Sequence, residues 1–291
     1  MKNKIGLSSF SLKIIAALLM TLDHFAMFFI SPGYGSVPVT SYYILRAVGK
    51  MAFPLFAFCS IESLLHTSNK KNYLFRLFVF SYSLDIIGYV YGLIFNIAPR
   101  DNLILGNAFK DIFFGVLMIY FLEMEGKYKL LAFIPFILAW LSIIDTGTSF
   151  GYIVKTDWSS YSIMLFLMMY LARLLSKQIL TNKSKELEVD KEEYLNLYLP
   201  KTSKYFEMLS IFTVGAIYYL IFRLSGSAYL YPGKSSFIPV GTYNVLSVVF
   251  IFFYNYSSGY RNKNLKWIFY IYYPLHLFVF YLVYSFTGVV F

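Results

Sequence analysis

The stretch LKIIAALLMTLDHFAMFFI at residues 12–30 decides the fold. It is apolar over a length that, as a helix, nearly covers the ~30 Å hydrocarbon core of a bilayer. Yet it carries Lys13 near its start and Asp23 and His24 in its second half. A charge within a spanning helix costs about 3 kcal/mol on insertion scales, so such a residue faces a cavity or a partner. The preceding MKNK has the charge of a secretory leader, but the ionisable residues in the run and the lack of a small-residue cleavage site after it predict a retained helix.

The rest of the chain repeats this pattern. Of 291 residues, 58% are apolar, 21% aromatic and only 14% charged, against about a quarter charged in a soluble domain. The aromatic content also excludes a disordered chain. Further apolar runs lie at about 42–65, 73–95, 107–122, 129–144, 159–176, 205–225, 237–256 and 266–287, with SFGYIV at 149–154 as a possible extra short helix. The expectation is an all-α, polytopic integral-membrane bundle of nine or ten transmembrane helices. It forms a single domain over 1–291, with one polar cytoplasmic loop at about 177–204.

The net charge of +10 is explained by where the basic residues fall. With the N-terminus inside, eighteen Lys and Arg lie on the inner side and seven on the outer, as the positive-inside rule requires. The C-terminus is then extracytoplasmic. This distribution argues against a nucleic-acid partner, which would need a basic stripe on one face. One cysteine, Cys59, and three histidines are too few for a Cys/His zinc cage, so no metal is expected.

Nine ionisable residues fall within or beside the spans: Asp23, His24, Arg46, Lys50, Glu62, Asp85, Lys110, Asp111 and His276. Arg46 and Lys50 are one turn apart on one helix face, and Asp23 is expected to pair with one of them. Asp23 and His24, being adjacent, diverge by about 100° and are poorly placed to act on each other. Lys13 and His24 share a face about 16 Å apart along the axis. That span suits a cofactor with phosphates at the cytoplasmic end and a reactive group deep in the membrane, the shape of coenzyme A; Lys13 as an ordinary inner flank is the alternative. His276 follows Pro274, which frees a backbone carbonyl, and it is either a cavity wall or a packed histidine. His66, Lys70, Lys71 and Arg76 gather at the inner mouth.

The segments LKIIAALLMTLDH at 12–24, GKMAFPLFAF at 49–58, NYLFRLFVFSYSLD at 72–85 and IFYIYYPLHLFVFYLV at 268–283 together resemble the TraX family, whose named member acetylates F-pilin. That family is in turn similar to acyltransferase family 3, which carries an arginine, ten residues and a histidine near its start. Here Lys13 and His24 take those places, and lysine keeps the charge without the bidentate fork. The chain departs from the family pattern at Lys50, at Ser63 and across NAFKD, which contains Asn107, Lys110 and Asp111. These departures bear on the acceptor.

The resemblance implies a bacterial cell-membrane acyltransferase that uses acetyl-CoA, with His24 as general base or transient acyl carrier. Arg46 and Lys50 would stabilise the oxyanion or hold an anionic acceptor, with Asp23 beside them. Lys13, His66, Lys70, Lys71 and Arg76 would receive the CoA phosphates, and Glu62, Asp85, Asn107, Asp111 and His276 would line the cavity. The acceptor would be a pilin or peptide N-terminus or a cell-surface glycan, with membrane lipid around the protein and a homodimer left open. The competing classes are a transporter or flippase, which would show repeat symmetry that this sequence lacks, and a scaffold, which has no need of Lys13, His24 and Arg46 together.

Overall fold

Ser8 opens the first helix. Its hydroxyl oxygen accepts the Ser11 N–H at 3.1 Å, satisfying one of the donors that a helix start leaves unpaired. The structure is a computed structural model and describes residues 6–30, 38–95, 106–142, 153–225, 240–259 and 265–287. Among them the helices are α1 Ser9–Phe29, α2 Val39–Gly49, α3 Ala52–His66, α4 Lys70–Phe95, α5 Ala108–Leu122, α6 Phe133–Leu141, α7 Ser159–Glu186, α8 Lys191–Ser225, α9 Val248–Phe252 and α10 Leu265–Thr287. Short 3-10 turns, Gly126–Ala132 and Val240–Ser247, lead into α6 and α9. Leu7 and Tyr254 form a parallel bridge.

Among the described residues, five helical stretches are long and apolar enough to cross a membrane: Ser9–Phe29, Thr40–His66, Lys70–Ile94, Ser159–Glu186 and Trp267–Phe286. The nine or ten spans expected from apolar runs are therefore not confirmed among these residues. α5 has 15 residues and α6 only 9, about 23 and 14 Å at 1.5 Å per residue. Within the run at 237–256 the described residues form a 3-10 turn and a five-residue helix. Most of 149–154 lies outside the described residues.

The expected span at 42–65 falls within Thr40–His66, with a turn at Lys50 and Met51 between α2 and α3. Pro54 has no N–H to give the Lys50 carbonyl, and its ring crowds that oxygen, so the helix restarts. The loop expected at 177–204 is helical apart from the turn at 187–190, as α7 and α8 continue through it. Its Lys, Glu and Leu are good helix formers, and Leu180, Ser184, Leu195 and Ser203 are buried within this length. Asp190 caps α8, accepting the Glu193 N–H at 2.7 Å.

Contacts between neighbours fix the helix directions. α3 runs antiparallel to α1: Lys13 Nζ reaches Ser63 Oγ at 3.3 Å, while Asp23 meets Lys50 just before α3 begins. α10 runs parallel to α1, with Phe10 on Phe269, Thr21 on Tyr272 and Phe28 on Tyr281. The segment before α10 is clipped to the chain start. Leu7 N–H donates to the Phe253 carbonyl, Asn255 N–H to the Leu7 carbonyl and Ser9 N–H to the Ser257 carbonyl, at 2.8–2.9 Å. Exposed Leu18, Phe75, Ile86 and Leu93 give the outer faces of α1 and α4 an apolar surface.

Candidate active site

The deepest polar cluster lies where α1 crosses α2. Asp23 Oδ2 is 2.9 Å from Arg46 Nη1 and 3.1 Å from Lys50 Nζ, so both pairings exist at once. Gly49 makes this possible. A Cβ there would sit 2.7 Å from the Asp23 Cα and 2.8 Å from its N, inside backbone that cannot move aside cheaply. Gly49→Ala is therefore expected to push α2 off α1 and lower stability by about 1–3 kcal/mol, as overpacked interiors do. A thermal melt unchanged from wild type would show that the crossing tolerates a methyl group.

Lys50 is only 5% exposed. Its Nζ lies 5.1 Å from the centre of the Trp158 ring, which stacks on Phe53. The N–H groups of Asp157 and Trp158 both donate to Asp111 Oδ2, at 2.9 and 3.0 Å. Asp111 thus satisfies free donors at the entry to α7, a structural task, and it lines neither of the two cavities described below. Asp85 and Asn107 also move from cavity candidates to ties. Asp85 pairs with Lys110. Asn107 donates to the Ser81 carbonyl at 3.0 Å and to Asp85 Oδ1 at 3.1 Å, and it caps α5 by accepting the Lys110 N–H at 3.2 Å. These groups satisfy one another between α4 and α5 because unpaired charge is costly there.

One helix face away from Asp23, His24 Nδ1 lies 2.7 Å from His276 Nε2 on α10. His276 Nδ1 in turn lies 2.9 Å from the Tyr272 carbonyl oxygen. The Tyr272 hydroxyl bonds to Thr21 on α1. His276 is thus a packed, hydrogen-bonded partner of His24, and it lies outside the lining of both cavities.

A cavity of about 470 Å³ occupies the end of the bundle where α1 begins and α3 ends. Lys13, His66 and Arg76 line it, together with Glu62 and a row of serine and tyrosine hydroxyls. Arg76 is hydrogen-bonded to Tyr270, but its buried Nε has no hydrogen-bond partner among the described residues. A smaller cavity of about 30 Å³ holds His24, Asp23, Lys50, Asp157 and Trp158. Met20, Phe56, Ala108 and Tyr273 line both, so the two spaces adjoin at these four side chains. Arg46 lines neither. Lys70 is paired with Glu123, Lys71 is exposed, and both stand outside the cavity lining. Of the five residues expected at the basic mouth, the structure brings three together.

Sequence reasoning missed the network beneath that mouth. Arg173 pairs with Glu62 and lies 3.4 Å from Glu207, and Tyr254 Oη donates to Glu62 Oε2 at 3.4 Å. Glu207 is 1% exposed. Lys204, also buried, donates to the Phe252 and Tyr254 carbonyls at 2.9 and 3.3 Å. Arg173 and Lys204 are among the eighteen basic residues that the charge count places on the inner side. The signal was the apolar company of Arg173 in YLARLL and of Glu207 in YFEML.

Comparison with known proteins gives two matches. The family model described as TraX protein matches residues 8–181, more than half of the chain. A Dichelobacter nodosus protein described as a probable fimbrial assembly protein, FimC of serogroup H1, is 40% identical over 80 residues. That alignment covers 28% of this chain and 31% of the relative, so it spans under a third of the relative's length. No solved structure matches.

Proposed function

Because the chain belongs to the TraX family, we propose that it is an integral-membrane acyltransferase passing acetyl from cytoplasmic acetyl-CoA to an acceptor at the outer half of the membrane. The observation that carries this reading is the pair of adjoining cavities, which we read as joined by a neck at their shared residues. The larger is lined by cations at the end where α1 begins, and the smaller holds His24. A coenzyme A molecule has matching parts, an anionic nucleotide head and a thin arm ending in the thioester. The excess of basic residues on alternate loops supports an N-terminus in the cytoplasm, which puts the basic mouth on the side where acetyl-CoA is found. The wider likeness to acyltransferase family 3 belongs to the same proposal.

In this reading the phosphates meet Lys13, His66 and Arg76. The arm passes Met20, Phe56, Ala108 and Tyr273 and presents its carbonyl beside His24. Lys50 has three N–H donors, and its contact with Asp23 leaves others for the carbonyl oxygen as it gains charge. Arg46, outside both linings, holds Asp23 in place. The acceptor we propose is a pilin or other peptide N-terminus, in keeping with the fimbrial role in the name of the Dichelobacter relative. A glycan hydroxyl would require the same base.

Thiol release from acetyl-CoA by the purified protein tests the proposal. Replacing both Lys13 and Arg76 by methionine is expected to raise the KM for acetyl-CoA by about 10²–10⁴-fold, as loss of two charged hydrogen bonds worth about 1.5–3 kcal/mol each implies. Lys71→Met serves as the control and should leave it unchanged. Equal KM values for all three proteins would leave the basic mouth as a topology signal only.

A further inference from the structure

The hydrogen bonds around the two imidazoles allow one arrangement of protons. A carbonyl oxygen only accepts, so the 2.9 Å contact with the Tyr272 carbonyl puts a proton on His276 Nδ1. A neutral imidazole has a single N–H, which leaves His276 Nε2 with a lone pair. His24 Nδ1 is 2.7 Å from that nitrogen. Two lone pairs cannot meet at such a distance, so His24 Nδ1 carries the proton, and by the same count His24 Nε2 is bare.

The rings support this bond. Their planes differ by 11° and their centroids are 5.0 Å apart. Parallel rings lying face on face cannot bring two nitrogens within 2.7 Å, so these meet edge to edge, along the lone-pair direction. Both rings are neutral because the adjacent carboxylate, Asp23, is already held by Arg46 and Lys50, and a further cation there would be uncompensated. The Thr21–Tyr272 bond fixes α10 against α1 less than one turn from His24.

We infer that His276 is a positioning residue that holds His24 in the tautomer with a free Nε2 in the small cavity. The inference deepens the acyltransferase reading and rests on it for its chemical meaning. In the transfer, the acceptor's nitrogen or oxygen bonds to the thioester carbonyl carbon and its proton passes to His24 Nε2. The carbon–sulfur bond then breaks, and the departing thiolate takes that proton back from Nε2. While the proton is on His24, the ring is a cation whose Nδ1–H donates to His276 Nε2, so the charge arises beside a prepared acceptor. This is the task that a carboxylate performs in a Ser-His-Asp triad.

The test uses the purified full-length protein with nitrogen-15 labelled histidine. The chain has three histidines, so His24→Gln and His66→Gln variants assign the signals. The wild type is expected to show His24 with a protonated Nδ1 and a bare Nε2. His276→Leu should lower kcat about 100-fold while the KM for acetyl-CoA stays within about twofold, because His276 acts only through His24. His276→Gln, whose side-chain oxygen still accepts a hydrogen bond, should recover about tenfold of that loss. A proton on His24 Nε2 in the wild type, or equal kcat in wild type and His276→Leu, would overturn the inference. The tautomer is read without turnover. A wild-type protein that shows the assigned tautomer but releases no thiol from acetyl-CoA would sink the acyltransferase reading while the tautomer assignment stands.

Discussion

Replacing His24 by alanine is expected to lower thiol release from acetyl-CoA by about 10²–10⁴-fold, the usual contribution of a positioned general base. The KM for acetyl-CoA should hardly change, because His24 lies in the small cavity and the proposed phosphate contacts lie across the neck. The substitution leaves the Asp23 ion pairs intact, since these sit on a different face of α1. The unpaired His276 Nε2 should lower the melting temperature by a few degrees, so turnover is compared on folded protein. Unchanged turnover in a folded His24→Ala protein would remove His24 from the chemistry. A burst of thiol without acceptor, equal to the enzyme concentration and lost in the variant, would identify His24 as an acyl carrier; no burst would leave it as the base.

Arg173→Met should give the largest loss of stability. Arg173 reaches from α7 to Glu62 on α3 and Glu207 on α8, and its side chain is 16% exposed against 14% and 1% for the two acids. Removing the one cation leaves two carboxylates facing each other in a poorly solvated place. Breaking buried pairs from one side costs about 3–5 kcal/mol, a fall of roughly 10 °C in the melting temperature. Converting Glu62, Arg173 and Glu207 together to methionine should cost much less than Arg173→Met, because no charge is then left alone. A single variant that melts with wild type would show that water solvates the acids.

The sequence was most informative where a cost was visible within one helix. Asp23 in an apolar run demanded cations, and Arg46 and Lys50 at i and i+4 on the next run were the groups within reach. His24 stood out for the same reason. The bond from His24 to His276 crosses 252 positions, and no periodicity connects residues so far apart. Hydropathy also reports how apolar a window is without saying how long its helix runs. Hence the runs at 107–122 and 129–144 count among the expected spans although their helices have 15 and 9 residues, and the polar ends of α7 and α8 look like a loop. Asp111 looked like an expensive charge seeking a cavity, but the chain turn at Asp157 and Trp158 supplies two N–H groups that satisfy it. Counting Arg173 and Lys204 as flanking charges failed because the positive-inside rule uses only their sign, and both are consumed inside the bundle.

The bond between His24 and His276 also sets an order of events during biosynthesis. His24 lies in α1, which is made before α10, and His276 comes 252 residues later. At synthesis rates of about 5–20 residues per second, the nascent chain waits roughly 13–50 s between them. For that time the first imidazole has no partner, and the clip from Leu7 and Ser9 to the segment at 253–257 cannot close. Under the proposed mechanism a half-made chain in the membrane has no positioned base, so it spends little acetyl-CoA before α10 is in place.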